Sequence, residues 1–262
     1  MSFPTWSDLN DEALIPPLGA RYAPDMGQAV VMISTEPDVR IAESFCSMDK
    51  VGRTHASIPF FLGRLFTLEN GITIAGPYLG APLGAMVLES LIARGVSRVV
   101  AVGWCGALSD ELNVGDIIIP DGAISDEGTS RNYMEMPEDS DFPITSPSVE
   151  FSRTVAKALH ENLSSHKIEC RTGMIWTTDA IYRETPKKVA FFRDKGALVV
   201  EMECSAIFSV AAYRKIDLTA VLIVSDTLFK DEWEPGFRSK RFKNARRLVI
   251  DALVTGGWNL SG

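Results

Sequence analysis

Apolar runs alternate with amphipathic segments along the chain, and this alternation predicts a sheet packed against helices. Short continuous apolar runs are typical of buried strands, whereas apolar residues that recur every three or four positions are typical of helices. The predicted strands span residues 29–34, 60–68, 72–75, 99–102, 114–120, 172–177, 197–200 and 218–224. The predicted helices span residues 37–47, 85–93, 148–160, 186–195, 205–213 and 238–254. Because strands and helices alternate, we expect an α/β fold with one mixed sheet covered on both faces.

The first part of the chain lacks this pattern. Residues 1–28 contain four prolines and few periodic apolar positions, so we expect an irregular arm there and one folded domain over residues 29–262. Asn70-Gly71 is a strong hairpin signal between the second and third predicted strands. Residues 125–145 are acidic and rich in turn-forming residues, which predicts a long surface loop able to carry a lid.

The acidic composition narrows the range of partners. The chain has 262 residues, with 34 acidic and 26 basic side chains and a net charge of −8. Nucleic acids and anionic membranes bind basic surfaces, so neither is expected as a partner. No apolar run resembles a secretory signal or a membrane span, and we expect a cytoplasmic protein. The four cysteines and three histidines lack the spacing of metal ligands, so we expect reduced cysteines and no metal.

Acidic side chains follow two of the predicted strands. Glu201, Met202 and Glu203 come directly after the strand at residues 197–200, and Asp226 follows the next strand. Ligands of α/β sheets collect at the carboxyl ends of strands, so these residues are candidates for a binding site. A carboxylate accepts hydrogen bonds from both hydroxyls of a vicinal diol, and a carboxyl group of raised pKa acts as a general acid. The alternatives are a plain strand-to-helix turn for the glutamates and a helix N-cap or an Asx turn for Asp226.

Glycines and a tryptophan follow other predicted strands. Gly76, Gly80 and Gly84 precede a helix, where backbone N–H groups and the helix N-terminus bind anions; tight packing is the alternative. Trp104 offers a stacking surface for a planar ring, and a large core residue is the alternative. The chain lacks G-x-S-x-G, Walker A, G-x-G-x-x-G and H-E-x-x-H motifs, so the enzyme classes that depend on them are not expected.

Taken together, these segments resemble the nucleoside phosphorylases of the purine and uridine phosphorylase superfamily. The resemblance covers about residues 29–228 and is most specific at residues 177–182 (TTDAIY), 200–206 (VEMECSA) and 224–226 (VSD). Residues 103–108 also look like the central glycine motif of that family. The resemblance implies a single-domain, three-layer α/β/α sandwich with a mixed, partly barrelled sheet.

The resemblance also implies a reaction and a set of site residues. Family members cleave an N-glycosidic bond with phosphate or water, so the partners would be a nucleoside and phosphate as co-substrate, without a cofactor. Glu203, with Met202 and Glu201, would hold the ribose. The catalytic residues would be Asp226, which assists the departing base, and Glu203, which orients the sugar. The base pocket would be lined by Thr178, Ile181, Trp104 and Asp226. An acid at position 226 indicates a purine-type base, and the family's homo-oligomers place their sites at subunit interfaces.

The sequence departs from the family where phosphate binds. Ala101 stands where an arginine is usual, and Trp104 stands where serine or threonine is usual. Residues 35–40 (TEPDVR) replace a Gly-Asp-Pro-x-Arg loop and displace its arginine by one position. The remaining candidate phosphate ligands are Gly76, Gly80, Arg40 and Arg53 of a neighbouring subunit. We expect a pentosyltransferase of the nucleoside phosphorylase type that serves purine salvage; a hydrolytic nucleosidase and a catalytically silent nucleoside-binding homologue are the alternatives.

Overall fold

Strands and helices alternate along the chain as the sequence predicts. The computed structural model describes residues 9–17, 27–45, 63–135, 142–164, 168, 170–229 and 232–259. Within these residues the strands are β1 Ala29–Ile33, β2 Arg64–Thr67, β3 Thr73–Gly76, β4 Arg98–Ala107, β5 Ile117–Asp126, β6 Ile144–Thr145, β7 Cys170–Thr178, β8 Val199–Glu201, β9 Asp217–Thr227 and β10 Glu234–Pro235. The helices are α1 Glu36–Ser44, α2 Ala81–Ile92, α3 Val149–Leu163, α4 Pro186–Asp194, α5 Cys204–Arg214 and α6 Lys240–Val254. Short 3-10 turns lie at Ser130–Asn132 and Ile181–Arg183.

These strands form one mixed sheet, part of which closes into a barrel. From one edge the order is β10-β9-β5-β7-β8-β4-β1-β3-β2, and β6 pairs with β5. Strand β9 also pairs with β4, which closes a five-stranded ring of β4, β9, β5, β7 and β8. Within the ring β9 pairs antiparallel with β5 and β8 pairs antiparallel with β4, while the other pairings are parallel. The expected mixed, partly barrelled sheet is confirmed.

Apolar side chains pack on both faces of the sheet. All five residues of β1 are buried, with Val30 and Met32 on the face covered by α2 and α5. Val31 and Ile33 face the opposite layer, where α1, α3 and α6 pack. Strands buried on both faces read as continuous apolar runs, which explains why the sequence pattern located them. The helix layers on the two faces give the expected sandwich.

The strands that carry candidate residues extend beyond their apolar runs. Strand β4 continues to Ala107 and β9 continues to Thr227, so the glycine segment 103–106 and Asp226 lie within strands. The expectation that they follow the strands is wrong. Strands β4 and β9 stay paired in parallel along this stretch, with a register shift between Cys105 and Gly106. Backbone hydrogen bonds therefore continue the strands where the apolar pattern stops.

The sequence also predicts a hairpin, the start of helix α2 and a long surface loop. The hairpin at Asn70-Gly71 is confirmed, since β2 and β3 pair antiparallel, although residues 60–62 lie outside the described residues. Helix α2 begins four residues earlier than predicted, with a proline in its first turn where a free N–H is not required. The segment 125–145 is not all loop, because β5 reaches Asp126 and β6 pairs with it.

Little of the expected N-terminal arm is described. Residues 9–17 and 27–28 contain no helix or strand, and the Tyr213 hydroxyl donates to the Leu9 carbonyl at 3.0 Å. The boundary at residue 28 stays a prediction. Across the described part of the chain, no helix has both the length and the apolarity that a bilayer crossing requires.

Candidate active site

A cavity of about 550 Å³ opens beside the ends of β4, β8 and β9. The acidic side chains in its lining are Glu184, Glu201, Glu203 and Asp226. The aromatic side chains in its lining are Trp104, Tyr182, Trp233 and Phe237. The predicted site residues that the cavity brings together are Trp104, Ile181, Glu201, Met202, Glu203 and Asp226. The cavity thus combines apolar walls with several carboxyl groups, the composition typical of small-molecule sites.

Glu201, the last residue of β8, holds the start of α5. Its carboxylate accepts the backbone N–H groups of Glu203 at 2.7 Å and Cys204 at 2.8 Å. It also accepts a hydrogen bond from the Thr177 hydroxyl on the neighbouring strand β7. Burial raises the pKa of Glu201, and these three hydrogen bonds oppose that rise because they favour the charged form. A carboxylate at a helix N-terminus satisfies backbone donors, so Glu201 primarily stabilises the turn.

Glu203 is the N-cap residue of α5 and its carboxyl group lines the cavity. Only 5% of the residue is exposed, and the Gly80 N–H donates to its Oε1 at 2.6 Å. Burial, and secondarily the charge of Glu201, raises the pKa of Glu203 to about 8. Because Glu201 takes the stronger set of donors, the proton shared by this pair resides on Glu203 at neutral pH. Glu203 therefore presents a neutral carboxyl group to the cavity.

Gly80 is required for this contact. Its φ is +83°, a backbone conformation that residues other than glycine rarely adopt. In this conformation its N–H points at Glu203. The glycine-rich segment before α2 therefore supports a carboxyl group in the cavity wall.

Asp226 lies near the end of β9 and reaches the same cavity. Its carboxyl group accepts hydrogen bonds from the Ser225 hydroxyl and from the Trp233 indole N–H, the latter at 2.8 Å. Burial raises the pKa of Asp226, and the two hydrogen bonds act in the opposite direction. A carboxyl group with a raised pKa that faces a cavity is suited to donate a proton to a ligand.

The position of Asp226 depends on a glycine in the adjacent strand. Gly106 of β4 pairs with Asp226, and a Cβ on Gly106 would lie 3.2 Å from Asp226 Oδ2. The same Cβ would lie only 2.4 Å from Leu228 Cδ1, which also lines the cavity. The glycine therefore gives the Asp226 and Leu228 side chains room against β4.

A buried ion pair stands directly behind one wall of the cavity. Asp38 in the first turn of α1 is fully buried and its Oδ1 accepts the Arg246 Nε–H at 2.6 Å. Its Oδ2 accepts the Trp104 indole N–H at 2.6 Å and the Thr35 hydroxyl at 3.0 Å. The Arg246 guanidinium lies 4.7 Å from the centre of the Trp104 ring. Trp104 and Thr35 line the cavity, so the pair fixes two of its surface groups.

The predicted phosphate ligands among the described residues do not line the cavity. Arg40 is paired with Glu36 at 2.9 Å, and its side chain is 71% exposed. A Cβ on Gly76 would lie 2.4 Å from the Ile33 carbonyl oxygen, so this glycine permits close packing of backbones. Arg53 lies outside the described residues. Ala101, which stands where the resemblance places an arginine, is buried in the sheet.

Of the predicted base-pocket residues, Ile181, Trp104 and Asp226 line the cavity and Thr178 does not. Ile181 is half exposed at the cavity rim, and Trp104 forms part of the wall. Thr178 is buried and its hydroxyl accepts the Ala180 N–H at 3.3 Å, so it shapes the turn before Ile181 and does not line the cavity. Among the described residues, no three His, Cys, Asp or Glu side chains cluster as metal ligands do.

Glu184 and Trp233 also line the cavity, although the sequence did not single them out. Glu184 follows the 3-10 turn, and burial together with the charge of Asp226 raises its pKa to about 7, while Lys188 opposes the rise. In the sequence, the only indication of Glu184 as a site residue is that an acid follows shortly after the segment 177–182. Trp233 reaches Asp226 from the segment before β10, and nothing in the local sequence indicates that contact.

Comparison with known proteins agrees with the resemblance of the sequence to the nucleoside phosphorylases. The family model described as the phosphorylase superfamily matches residues 29–255. A DeoD-type purine nucleoside phosphorylase of Bacillus cereus is 28% identical over 189 residues, covering 70% of this chain and 75% of the relative. Purine nucleoside phosphorylase from Toxoplasma gondii, solved with immucillin-H, has a TM-score of 0.76 at 19% identity, covering 95% of this chain and 98% of that chain. AMP nucleosidase from Bacteroides thetaiotaomicron has a TM-score of 0.65 at 24% identity, covering 87% and 88%.

Proposed function

The chain belongs to the phosphorylase superfamily, and from this premise we propose that it cleaves the N-glycosidic bond of a purine-type nucleoside. The observation that carries the proposal is the shared cavity of the buried Glu203 and the half-buried Asp226, two carboxyl groups of raised pKa on neighbouring elements. Two such groups suit a reaction in which one partner holds the sugar and the other activates the leaving group.

Asp226 is the proposed general acid. As the C1′–N bond stretches, the sugar gains oxocarbenium character and the electron pair of the bond leaves with the base. A protonated Asp226 gives its proton to that base, which becomes a neutral leaving group. Trp233 and Ser225 hold the carboxyl group in place by hydrogen bonds, so the donor is positioned before the substrate arrives.

Glu203 is the proposed ribose ligand, with Met202 beside it. Its protonated carboxyl group donates a hydrogen bond to one of the 2′ and 3′ hydroxyls and accepts one from the other, and Gly80 fixes its orientation through Oε1. Glu201 acts through the turn that it caps rather than through the substrate.

A purine-type base is supported by two observations. Asp226 can protonate a ring nitrogen, and the Bacillus cereus relative at 28% identity is a purine nucleoside phosphorylase. Glu184 faces the same cavity and no other described residue hydrogen bonds to its carboxyl group, so it is free to contact the outer edge of the base. The aromatic walls and Ile181 would pack against the ring faces.

The sugar acceptor has two candidates. Phosphate as co-substrate is supported by the name of the Bacillus cereus relative and would give a pentose 1-phosphate. Water is supported by the cavity lining, which among the described residues contains no lysine, arginine or histidine. Assembly into a homo-oligomer with interfacial sites, a cytoplasmic location and a role in purine salvage stay predictions.

Base release tests the proposal. Inosine, guanosine, adenosine and uridine are each incubated with the wild-type protein, with and without phosphate, and free base is measured by chromatography. We expect purine release, and we expect Asp226→Asn to slow it by about 10²- to 10⁴-fold with little change in KM. Glu203→Gln should mainly raise KM for ribonucleosides. Full activity in both variants would refute the site, and nucleoside binding without turnover would favour a silent homologue.

A further inference from the structure

We propose that the carboxylate of Asp38 acts as a built-in anion. It neutralises Arg246 and occupies the hydrogen-bond donors of Thr35 and Trp104, so that water rather than phosphate attacks the sugar. The inference rests on the N-glycosidic cleavage proposed above and names its nucleophile. It makes Asp38 a residue that determines acceptor specificity, although Asp38 itself contacts neither substrate nor solvent.

The first observation is the state of Arg246. This guanidinium lies immediately behind the cavity wall, and its side chain is only 10% exposed. Its Nε donates to Asp38 at 2.6 Å, and its charge lies 4.7 Å from the Trp104 ring centre and 5.3 Å from that of Phe242. Arg246 is therefore paired internally and covered by aromatic rings, which removes it as a ligand for an anion in the cavity.

The second observation is the set of donors that Asp38 uses. The Thr35 hydroxyl and the Trp104 indole N–H belong to residues that line the cavity, and both donate to Asp38 Oδ2. A bound phosphate would need donors of this kind together with a cation. At this wall all three groups, including Arg246, already serve one buried carboxylate.

The third observation is the charge of the cavity. Four carboxylic acids line it, and the described lining residues include no basic side chain. Lys188, near the cavity, is paired with Asp126 at 2.9 Å. A phosphate dianion would lose its hydration on entry and meet no opposite charge among the described lining residues, whereas a neutral water molecule meets no such cost.

The resulting step balances without another reactant. The C1′–N bond breaks, its electron pair leaves with the base, and the base takes a proton from Asp226. A water oxygen forms the new bond to C1′, and the proton that this water loses passes through solvent to restore Asp226. The products are the free base and the free pentose.

The decisive experiment uses the wild-type protein after removal of phosphate. Base release is measured from purine nucleosides with and without added inorganic phosphate, in water enriched in ¹⁸O. We expect the rate to be unchanged by phosphate and the label to appear in free pentose. Dependence of base release on phosphate, or formation of pentose 1-phosphate, would overturn the inference.

A binding measurement separates this inference from the proposed function. Inorganic phosphate should leave the Tm of the wild-type protein unchanged, and a phosphate-dependent rise in Tm would overturn the inference even if no nucleoside were cleaved. Absence of base release under all conditions would instead refute the proposed function.

Variants of Asp38 test the built-in anion directly. Asp38→Ala uncovers Arg246, so phosphate at about 100-fold above its Kd should raise the Tm of this variant by about 5 °C. Phosphate should raise the Tm of Asp38→Asn by less, because asparagine keeps the space filled. It should not raise the Tm of the double variant Asp38→Ala with Arg246→Gln. An Asp38→Ala variant that responds to phosphate no more than wild type would contradict the inference. If Asp38→Ala does not fold, the wild-type measurements decide.

Discussion

Glu203→Gln should change how the stability of this protein depends on pH. The Glu203 carboxyl group is buried beside Glu201 and has a pKa of about 8 in the folded protein, against 4.5 as the ordinary value. Glutamine has the shape of the protonated acid and its carbonyl oxygen still accepts the Gly80 N–H. The substitution therefore removes the ionisation while leaving the main contact in place.

The direction in which stability changes with pH follows from where the proton is bound. Between about pH 4.5 and pH 8 the folded protein keeps the proton on Glu203, whereas the unfolded chain has released it. The folded state binds more protons, so the free energy of unfolding falls as pH rises through this interval. The stabilisation is fully present below pH 4.5 and is lost above pH 8. At about 1.4 kcal/mol per pH unit, wild type loses up to about 5 kcal/mol relative to the variant.

Urea unfolding at intervals from pH 5 to pH 9 measures this difference. Glu203→Gln and wild type should have similar stability at the lowest pH, and the variant should become progressively more stable as the pH rises. Glu201→Gln is the matched control two residues away. It replaces an oxygen that accepts hydrogen bonds by an NH₂ group, so it should destabilise the protein by about 1–3 kcal/mol even at pH 5. A stability difference between wild type and Glu203→Gln that stays flat over this range would refute the assignment of the proton.

Three further substitutions test the rest of the cavity. Trp233→Phe removes an N–H that favours ionised Asp226, so the pKa of Asp226 should rise and the alkaline limb of the pH profile of kcat should move to higher pH; an unmoved limb would argue against Asp226 as the acid. Gly106→Ala places a methyl group against Leu228 and Asp226, so urea unfolding should show a loss of about 1–3 kcal/mol and kinetics a lower kcat, whereas wild-type values would contradict the packing. Glu184→Gln should remove an ionisation near pH 7 from the profile of kcat/KM for purine nucleosides, and its persistence would show that another group titrates there.

The order of strands and helices follows from the sequence alone. Burial on both faces leaves continuous apolar runs such as β1, and burial on one face leaves helical periodicity, so local patterns report these elements directly. The Asn70-Gly71 turn fixed the hairpin for a similarly local reason. The acids after the predicted strands also pointed to the right end of the sheet, because residues at strand ends meet there in α/β folds.

The tertiary structure decided which of those acids face the cavity and what each one contacts. Glu201 and Glu203 look alike in sequence, yet Glu201 accepts the first N–H groups of α5 and Glu203 keeps a proton, because only folding brings Thr177 and Gly80 to them. Barrel closure depends on pairing β9 with both β4 and β5, which local patterns do not encode.

The ion pair behind the cavity is the clearest example of a long-range contact. Asp38 and Arg246 lie 208 positions apart, and each reads as an ordinary charge on the surface of its own helix. Packing α6 against α1 buries both charges, and a charge removed from water must find a partner. The sequence alone therefore determines the fold class and the location of the site, whereas long-range burial determines the charge state of its carboxyl groups and the pairing behind its wall.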